Sequence, residues 1–269
     1  MTEILIDSID DPRLTPYRHL KRMNLTRWSG LFIAEGMRLV ERLLESDFEV
    51  DSILVSESHR RRLSAETLER IPVYVAPLPV LENIIGFQFH SGMLACGRRR
   101  AHIPLVDWLP ARDRPALIVG CPQTSDPDNL GTMIRIAAAF GADGLMVGKS
   151  SADPFCRRAL RISMGNAFFL PIYESTNFLE DLQQMQQESG ITAVASVLDH
   201  AAIPLATCTR PDRLLLLMGN EDHGLDPALS RMADEKVTIP MAAKIDSLNV
   251  GIAAGIMLHH YTQVAIRRN

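Results

Sequence analysis

The run Leu214-Leu-Leu-Leu-Met-Gly-Asn-Glu-Asp-His-Gly-Leu225 sets the architecture of this 269-residue chain. Four leucines and a methionine in succession, with no polar residue alternating, describe a strand buried on both faces. That is the habit of a parallel sheet covered by helices on each side. Glycine at 219 lets another backbone come close and glycine at 224 admits a positive φ, so the strand runs into a turn that a small ligand can approach. Ligands of such sheets gather at the carboxyl ends of the strands. Glu221 is the natural charged group at this one.

Working outward, the same texture recurs at Ala116-Leu-Ile-Val-Gly120, Leu145-Met-Val-Gly148 and Ile191-Thr-Ala-Val-Ala-Ser-Val197. Each run is followed by a polar or glycine turn and then by helical composition, which predicts a doubly covered α/β sheet from Pro115 onward. Upstream the texture differs. Ser52–Glu57 and Pro72–Pro77 read as strands, 60–70 as a helix, and Phe32–Leu44 as a helix with Met37, Val40, Leu43 and Leu44 on one face. Residues 1–100 are therefore expected to form a compact αβ domain, 101–114 (two prolines, mixed charge) a linker, and 115–269 the sheet domain. The last helix, expected over Leu248–Arg268, is apolar on more than one side, so it is either deeply buried or packed on a partner subunit.

Composition removes several classes. Hydrophobic residues make up 46% and charged residues 22%, ordinary globular usage. No apolar run approaches the roughly 18 residues of a membrane span. Cys96, Cys121, Cys156 and Cys208 lack metal-ligand spacing, so the expectation is a soluble cytoplasmic protein with no metal and no membrane partner. Net charge is −4, carried entirely by the part after residue 112. The balanced first part holds its basic residues in clusters: Arg18, Lys21, Arg22 and Arg27, then Arg60–Arg62, then Arg98–Arg100. Of 28 basic residues 24 are arginine, which suits bidentate phosphate contact and is equally what a GC-rich genome encodes. If nucleic acid is the partner, the first part is where it would be held.

Several motifs do not assemble. Gly148-Lys149-Ser150 ends like a phosphate loop, but Asp143 stands where the first glycine is required. There is no GxSxG, no HExxH and no GxGxxG after the first strand of the sheet, and His259 and His260 splay about 100° apart on a helix. Cys121, at a strand end, reads as a core thiol.

Three other segments carry more. In Asp126-Pro-Asp-Asn-Leu-Gly-Thr-Met-Ile-Arg135, Asp128 or Asn129 is expected to cap a helix running to Phe140. Arg135 sits among Met133, Ile134, Ile136 and Ala137, where burial demands an anionic partner. The second segment is Gly219–Leu225. In the third, a strand ends at Ile239-Pro-Met241 and Ser247 or Asn249 opens the terminal helix, an N-terminus fit for an anion.

In this order and spacing the three segments resemble the motifs of the SpoU (TrmH-like) RNA methyltransferases of the SPOUT superfamily. A weaker fourth match is Ala152-Asp-Pro-Phe155 with Arg161-Ile-Ser-Met-Gly165. Phe32-Ile-Ala-Glu-Gly36 and Ser91-Gly-Met-Leu-Ala95 look like that family's L30e-like substrate-binding domain. The resemblance implies an α/β SPOUT fold with a C-terminal trefoil knot, preceded by the small L30e-like domain. It implies a homodimer built partly by the terminal helix, and S-adenosylmethionine held by Gly219, Ile239 and Leu248, with Met241 and Leu217 beside them. It further implies a catalytic cluster of Arg135, Asn129, Glu221, Ser247 and Asn249, acting on a ribose 2′-hydroxyl of RNA, ribosomal before transfer RNA. Many members carry serine after Asn-Val, where this chain has Gly251. The competing readings are an RNA-binding protein that kept the fold without catalysis and a dinucleotide-binding Rossmann enzyme.

Overall fold

The structure, a computed structural model, describes residues 3–267 apart from 7, 19, 21–28, 87, 90 and 243–246. Lys21, Arg22 and Arg27 of the first basic cluster, and Arg268, therefore lie outside the described residues. The chain divides into two compact units. One comprises residues 1–101 with Phe155–Phe168, the other His102–Pro154 with the residues from Phe169 onward.

The first unit is built on a five-stranded sheet: β1 (Glu3–Leu5), β2 (Leu31–Glu35), β3 (Val50–Ser56), β4 (Val73–Ala76) and β5 (Met93–Arg98), in the order β1-β4-β3-β5-β2. β1, β4 and β3 run parallel, and β5 is antiparallel to both β3 and β2. The helix expected over Phe32–Leu44 is a correction. Residues Leu31–Glu35 form strand β2, Gly36 turns the chain at φ +95°, and the helix is Met37–Leu44, burying Leu39, Val40 and Leu43. Helical composition at 60–70 likewise resolves into Glu57–Arg60 and Ala65–Arg70, because Ser64 caps the second piece by accepting from the Thr67 amide. Phe32 packs against Phe48, Phe155 and Phe168 with centroids 5.4–5.6 Å away. The neighbouring strand makes room for it at Gly97, where a Cβ would lie 2.3 Å from the ring.

The second unit holds a seven-stranded sheet whose pairs are all parallel: β6 (Ala116–Cys121), β7 (Gly144–Gly148), β8 (Ile172–Ser175), β9 (Thr192–Ser196), β10 (Ile203–Pro204), then, beyond β11 (Arg210–Pro211), β12 (Arg213–Leu217) and β13 (Glu235–Thr238). The order is β10-β13-β9-β12-β6-β7-β8. From β6 the chain moves outward through β7 and β8, then jumps to β9, and β12 returns between β9 and β6. The carboxyl ends of β6 and β12 thus flank the point where strand order reverses, where such sheets open a crevice. β11 pairs with β14 (Ile266–Arg267) apart from this sheet.

Residues 102–114 pack into this unit. A short helix, Leu105–Trp108, buries Leu105 and lays Trp108 5.3 Å from the Tyr173 ring. Arg213, only 6% exposed at the start of β12, donates to the carbonyls of Pro110, Ala111, Arg114 and Ser189 at 2.7–2.9 Å. Those four acceptors offset the desolvation of the buried guanidinium, whose pKa burial lowers. The terminal helix spans Val250–Gln263, shorter than expected because the chain turns extended at Val264 and leads into β14. It packs on the helix Pro127–Ala139.

Candidate active site

A cavity of about 550 Å³ opens at the carboxyl ends of β9, β12 and β13. Ser196 comes from the end of β9, Val197 and Leu198 from the turn after it, and Met218–Leu225 from the turn after β12. Ile239, Met241, Ser247 and Leu248 come from the segment between β13 and the terminal helix, with Val250 and Ala253 from that helix itself. Its size lies within the range of small-ligand sites, and its lining mixes aliphatic residues with polar ones.

Of the residues expected to hold a cofactor, Gly219, Ile239, Met241 and Leu248 line this cavity. Leu217 does not. It stays inside β12, paired with Gly120 and Ala195, and its side chain is buried against Gly120 and the core around it, so Met218 takes the place at the rim. The turn after β9 belongs to none of the three motif segments, and its lining residues were not singled out from the sequence. The general rule that strand ends of a parallel sheet bear the ligand could have found it.

The turn after β12 is held tightly. Asn220 and Gly224 exchange backbone hydrogen bonds at 2.8 and 2.9 Å, and Gly224 has φ +69°. The absent side chain of Gly219 serves this fold of the turn, since a Cβ there would lie 2.6 Å from the Leu225 nitrogen. Glu221 sits exposed next to Asn220 and lines the cavity.

Three of the five residues expected to catalyse are joined directly. Asn249 donates its Nδ2 to Asn129 Oδ1 at 2.9 Å, and Asn129 Nδ2 donates to Glu221 Oε1. Asn249, not Ser247, caps the terminal helix, its Oδ1 accepting from the amides of Gly251 and Ile252 at 2.9 and 3.3 Å. Ser247 lines the same cavity. The helix that carries Asn129 is capped by Asp126, not by Asp128 or Asn129. Asp126 accepts from the Asp128 amide at 2.9 Å, with Pro127 at the first helical position, where no amide is needed.

Arg135 stands elsewhere on that helix. Leu130, Met133, Ile134 and Ala137 take the buried face, and Arg135 is exposed. The anionic partner that burial would demand is not needed, and Arg135 has neither ion pair nor hydrogen bond among the described residues. Cys121 is wholly buried, and burial pushes its thiol up to about 12, consistent with a core thiol.

Residues 116–259 match the model of the SpoU rRNA Methylase family. An uncharacterized tRNA/rRNA methyltransferase of Mycobacterium bovis is 32% identical over 94% of this chain and 90% of its own length. The 23S rRNA (guanosine-2′-O-)-methyltransferase RlmB of Acinetobacter baylyi is 30% identical over 83% of this chain and 94% of its own. Among solved structures, an AdoMet-bound rRNA methyltransferase from Sinorhizobium meliloti superposes with a TM-score of 0.84, at 29% identity and 97% coverage of both chains.

Proposed function

Because the chain belongs to the SpoU rRNA Methylase family, we propose that it methylates a ribose 2′-hydroxyl of ribosomal RNA with S-adenosylmethionine as donor. The observation that carries this reading is the meeting of the hydrogen-bonded row Asn249, Asn129 and Glu221 with the cavity that Glu221 also lines.

The cavity fits the donor in volume and character. Gly219, Ile239 and Met241 can meet it with main-chain edges, while Val197, Leu198 and Leu248 supply aliphatic walls. The chemistry that S-adenosylmethionine supplies when bound is a sulfonium-activated methyl group. What remains for the protein is to orient the ribose hydroxyl and take its proton. Asn129 is fixed at both ends of its side-chain amide, accepting from Asn249 and donating to Glu221. One carboxylate oxygen of Glu221 is thereby held, and the other is left to accept the hydrogen of the 2′-hydroxyl. Ser247 adds a hydroxyl to the same wall. Arg135, exposed on its helix, serves as an anchor for the phosphate beside the target sugar.

The first unit is the part we assign to holding RNA around the target, as an L30e-like module. For a homodimer, the support is the terminal helix, which leaves Ile252 and Ile256 56% and 39% exposed. No helix among the described residues is long and apolar enough to cross a membrane, and a cytoplasmic site of action goes with a ribosomal substrate.

Mapping of 2′-O-methyl groups in total RNA from cells with and without the gene tests the function. The expected result is loss of one position from ribosomal RNA. Loss from transfer RNA alone would transfer the substrate assignment, and an unchanged map would overturn the proposal.

A further inference from the structure

We propose that Asn220 is a positioning residue, which clasps the turn bearing Glu221 onto the turn that follows β6 and so keeps the Glu221 carboxylate on Asn129. The inference rests on the methyl-transfer reading above.

Asn220 uses its side chain in two directions. Its Oδ1 accepts from the amides of Asp222 and His223 at 2.9 and 3.3 Å, which closes the turn on itself. Its Nδ2 donates to the carbonyl of Gln123 at 2.9 Å, 97 residues away in sequence. Gln123 belongs to the same connection, Pro122–Asp126, that leads into the helix of Asn129. The β12 turn is therefore tied at two neighbouring places: by Asn220 to Gln123 in that connection, and by Glu221 to Asn129 in the first turn of the helix it leads into.

The ties differ in kind. Glu221 is exposed, and a lone hydrogen bond at the end of a flexible, solvated side chain is worth little against its rotamer freedom. The Asn220 bond instead reaches a main-chain carbonyl from a side chain already fixed on its other edge, so it locates the backbone from which Glu221 projects. A carboxylate that must meet a ribose hydroxyl in one geometry depends on that location more than on its own single bond. Alanine or glutamine at this position could not reproduce the arrangement, since neither offers a short amide with both edges in reach.

Asn220→Asp separates the two directions. It keeps an acceptor for the Asp222 and His223 amides but sets an oxygen against the Gln123 carbonyl. The measurements are methyl-transfer turnover on ribosomal RNA, S-adenosylmethionine affinity by calorimetry, and thermal unfolding. We expect kcat to fall at least about tenfold, as displaced reacting groups require. The dissociation constant for the donor should stay within about threefold and Tm within about 3 °C, since Asn220, although its turn lines the cavity, spends its side-chain amide on Gln123 and on its own turn. Gln123→Ala should leave all three near wild type, because only its carbonyl takes part. Should Asn220→Asp unfold, Asn220→Ser, which withdraws the donor without adding charge, is read by the same criteria. Wild-type kcat in either folded variant overturns the clasp. So does a loss of donor affinity as large as the loss of kcat, which would mean that Asn220 acts on the donor and not on the placement of Glu221. A wild-type chain that methylates no RNA overturns the function itself and this inference with it, whereas an active wild type with an indifferent Asn220 variant overturns the clasp alone.

Discussion

Asn249 reaches Asn129 across 120 residues of sequence, its side-chain amide donating to Oδ1 at 2.9 Å while its own Oδ1 caps the terminal helix. One side chain therefore ends a loop, starts a helix and fixes the orientation of a second amide. These duties can be separated. Asn249→Ser keeps a capping oxygen and loses the donation, so unfolding should stay near wild type while methyl transfer falls. Asn249→Ala loses both and should also cost about 1 kcal/mol of stability, the usual worth of a cap. Equal turnover in the serine variant and the wild type would remove the Asn129 link from the site.

Glu221→Gln keeps shape and removes charge. Since Glu221 is exposed and its recorded partner is Asn129, stability should be unaffected. Turnover should fall about a hundredfold or more if the carboxylate takes the ribose proton. Donor affinity should hold, because the aliphatic walls are unchanged. A glutamine variant that turns over normally would assign the proton to another group.

Much of this was legible beforehand, and the failures have physical causes. The strands of the second unit announced themselves because burial on both faces forbids alternation, as at Leu214–Leu217. Gly219, Ile239 and Leu248 were placed by the resemblance, while the rule for strand ends of a parallel sheet pointed only to the turns as the place to look. Phe32–Glu35 misled because so short an apolar stretch, Leu31–Ala34, is compatible with strand or helix, and only pairing with β5 decides it. Arg135 misled because its immediate neighbours in sequence are apolar. On a helix those neighbours point elsewhere, and the spacing Leu130, Met133, Ile134 and Ala137 already leaves position 135 outside. The pairing of Asn129 with Asn249 and Glu221 was implied by resemblance alone, since no local pattern encodes a contact over 92 or 120 residues.

Gly251 has a packing reason of its own. A Cβ there would fall 2.7 Å from Thr132 Cγ2, on a helix side already filled. Helix propensity alone favours Gly251→Ala by about 1 kcal/mol, but overpacking of a closed contact costs about 1–3 kcal/mol. Tm is therefore expected to fall. Adding Thr132→Ser removes the offending methyl and keeps the hydroxyl that donates to the Asp128 carbonyl, so the double variant should recover. A stabilised single variant would contradict the contact.

Alkaline pH should unfold this protein early. Burial pushes the Cys96 and Cys121 thiols up to about 12. In the unfolded chain they ionise near 8.5, so the unfolded state loses protons first as pH rises. The sign follows: their contribution is complete below about pH 8.5 and is lost progressively up to about pH 12, by at most about 1.4 kcal/mol per pH unit for each thiol. Urea midpoints at pH 8, 9 and 10 should decline, and the pair Cys96→Ala and Cys121→Ala should flatten the decline. An unchanged slope in that double variant would locate the sensitivity elsewhere.

Arg135 can be judged by salt. An exposed guanidinium with no partner among the described residues contributes nothing to the fold that its loss would disturb, so Arg135→Ala should melt like wild type and bind the methyl donor normally. As a phosphate anchor it should raise the KM for RNA and lower the salt dependence of RNA binding by about one ion. Arg135→Lys retains the charge but not the planar fork, so it should restore the salt slope while recovering only part of the affinity. If instead Arg135→Ala abolishes turnover with KM and salt slope intact, the guanidinium acts on the reacting atoms, and the anchor assignment gives way to a catalytic one.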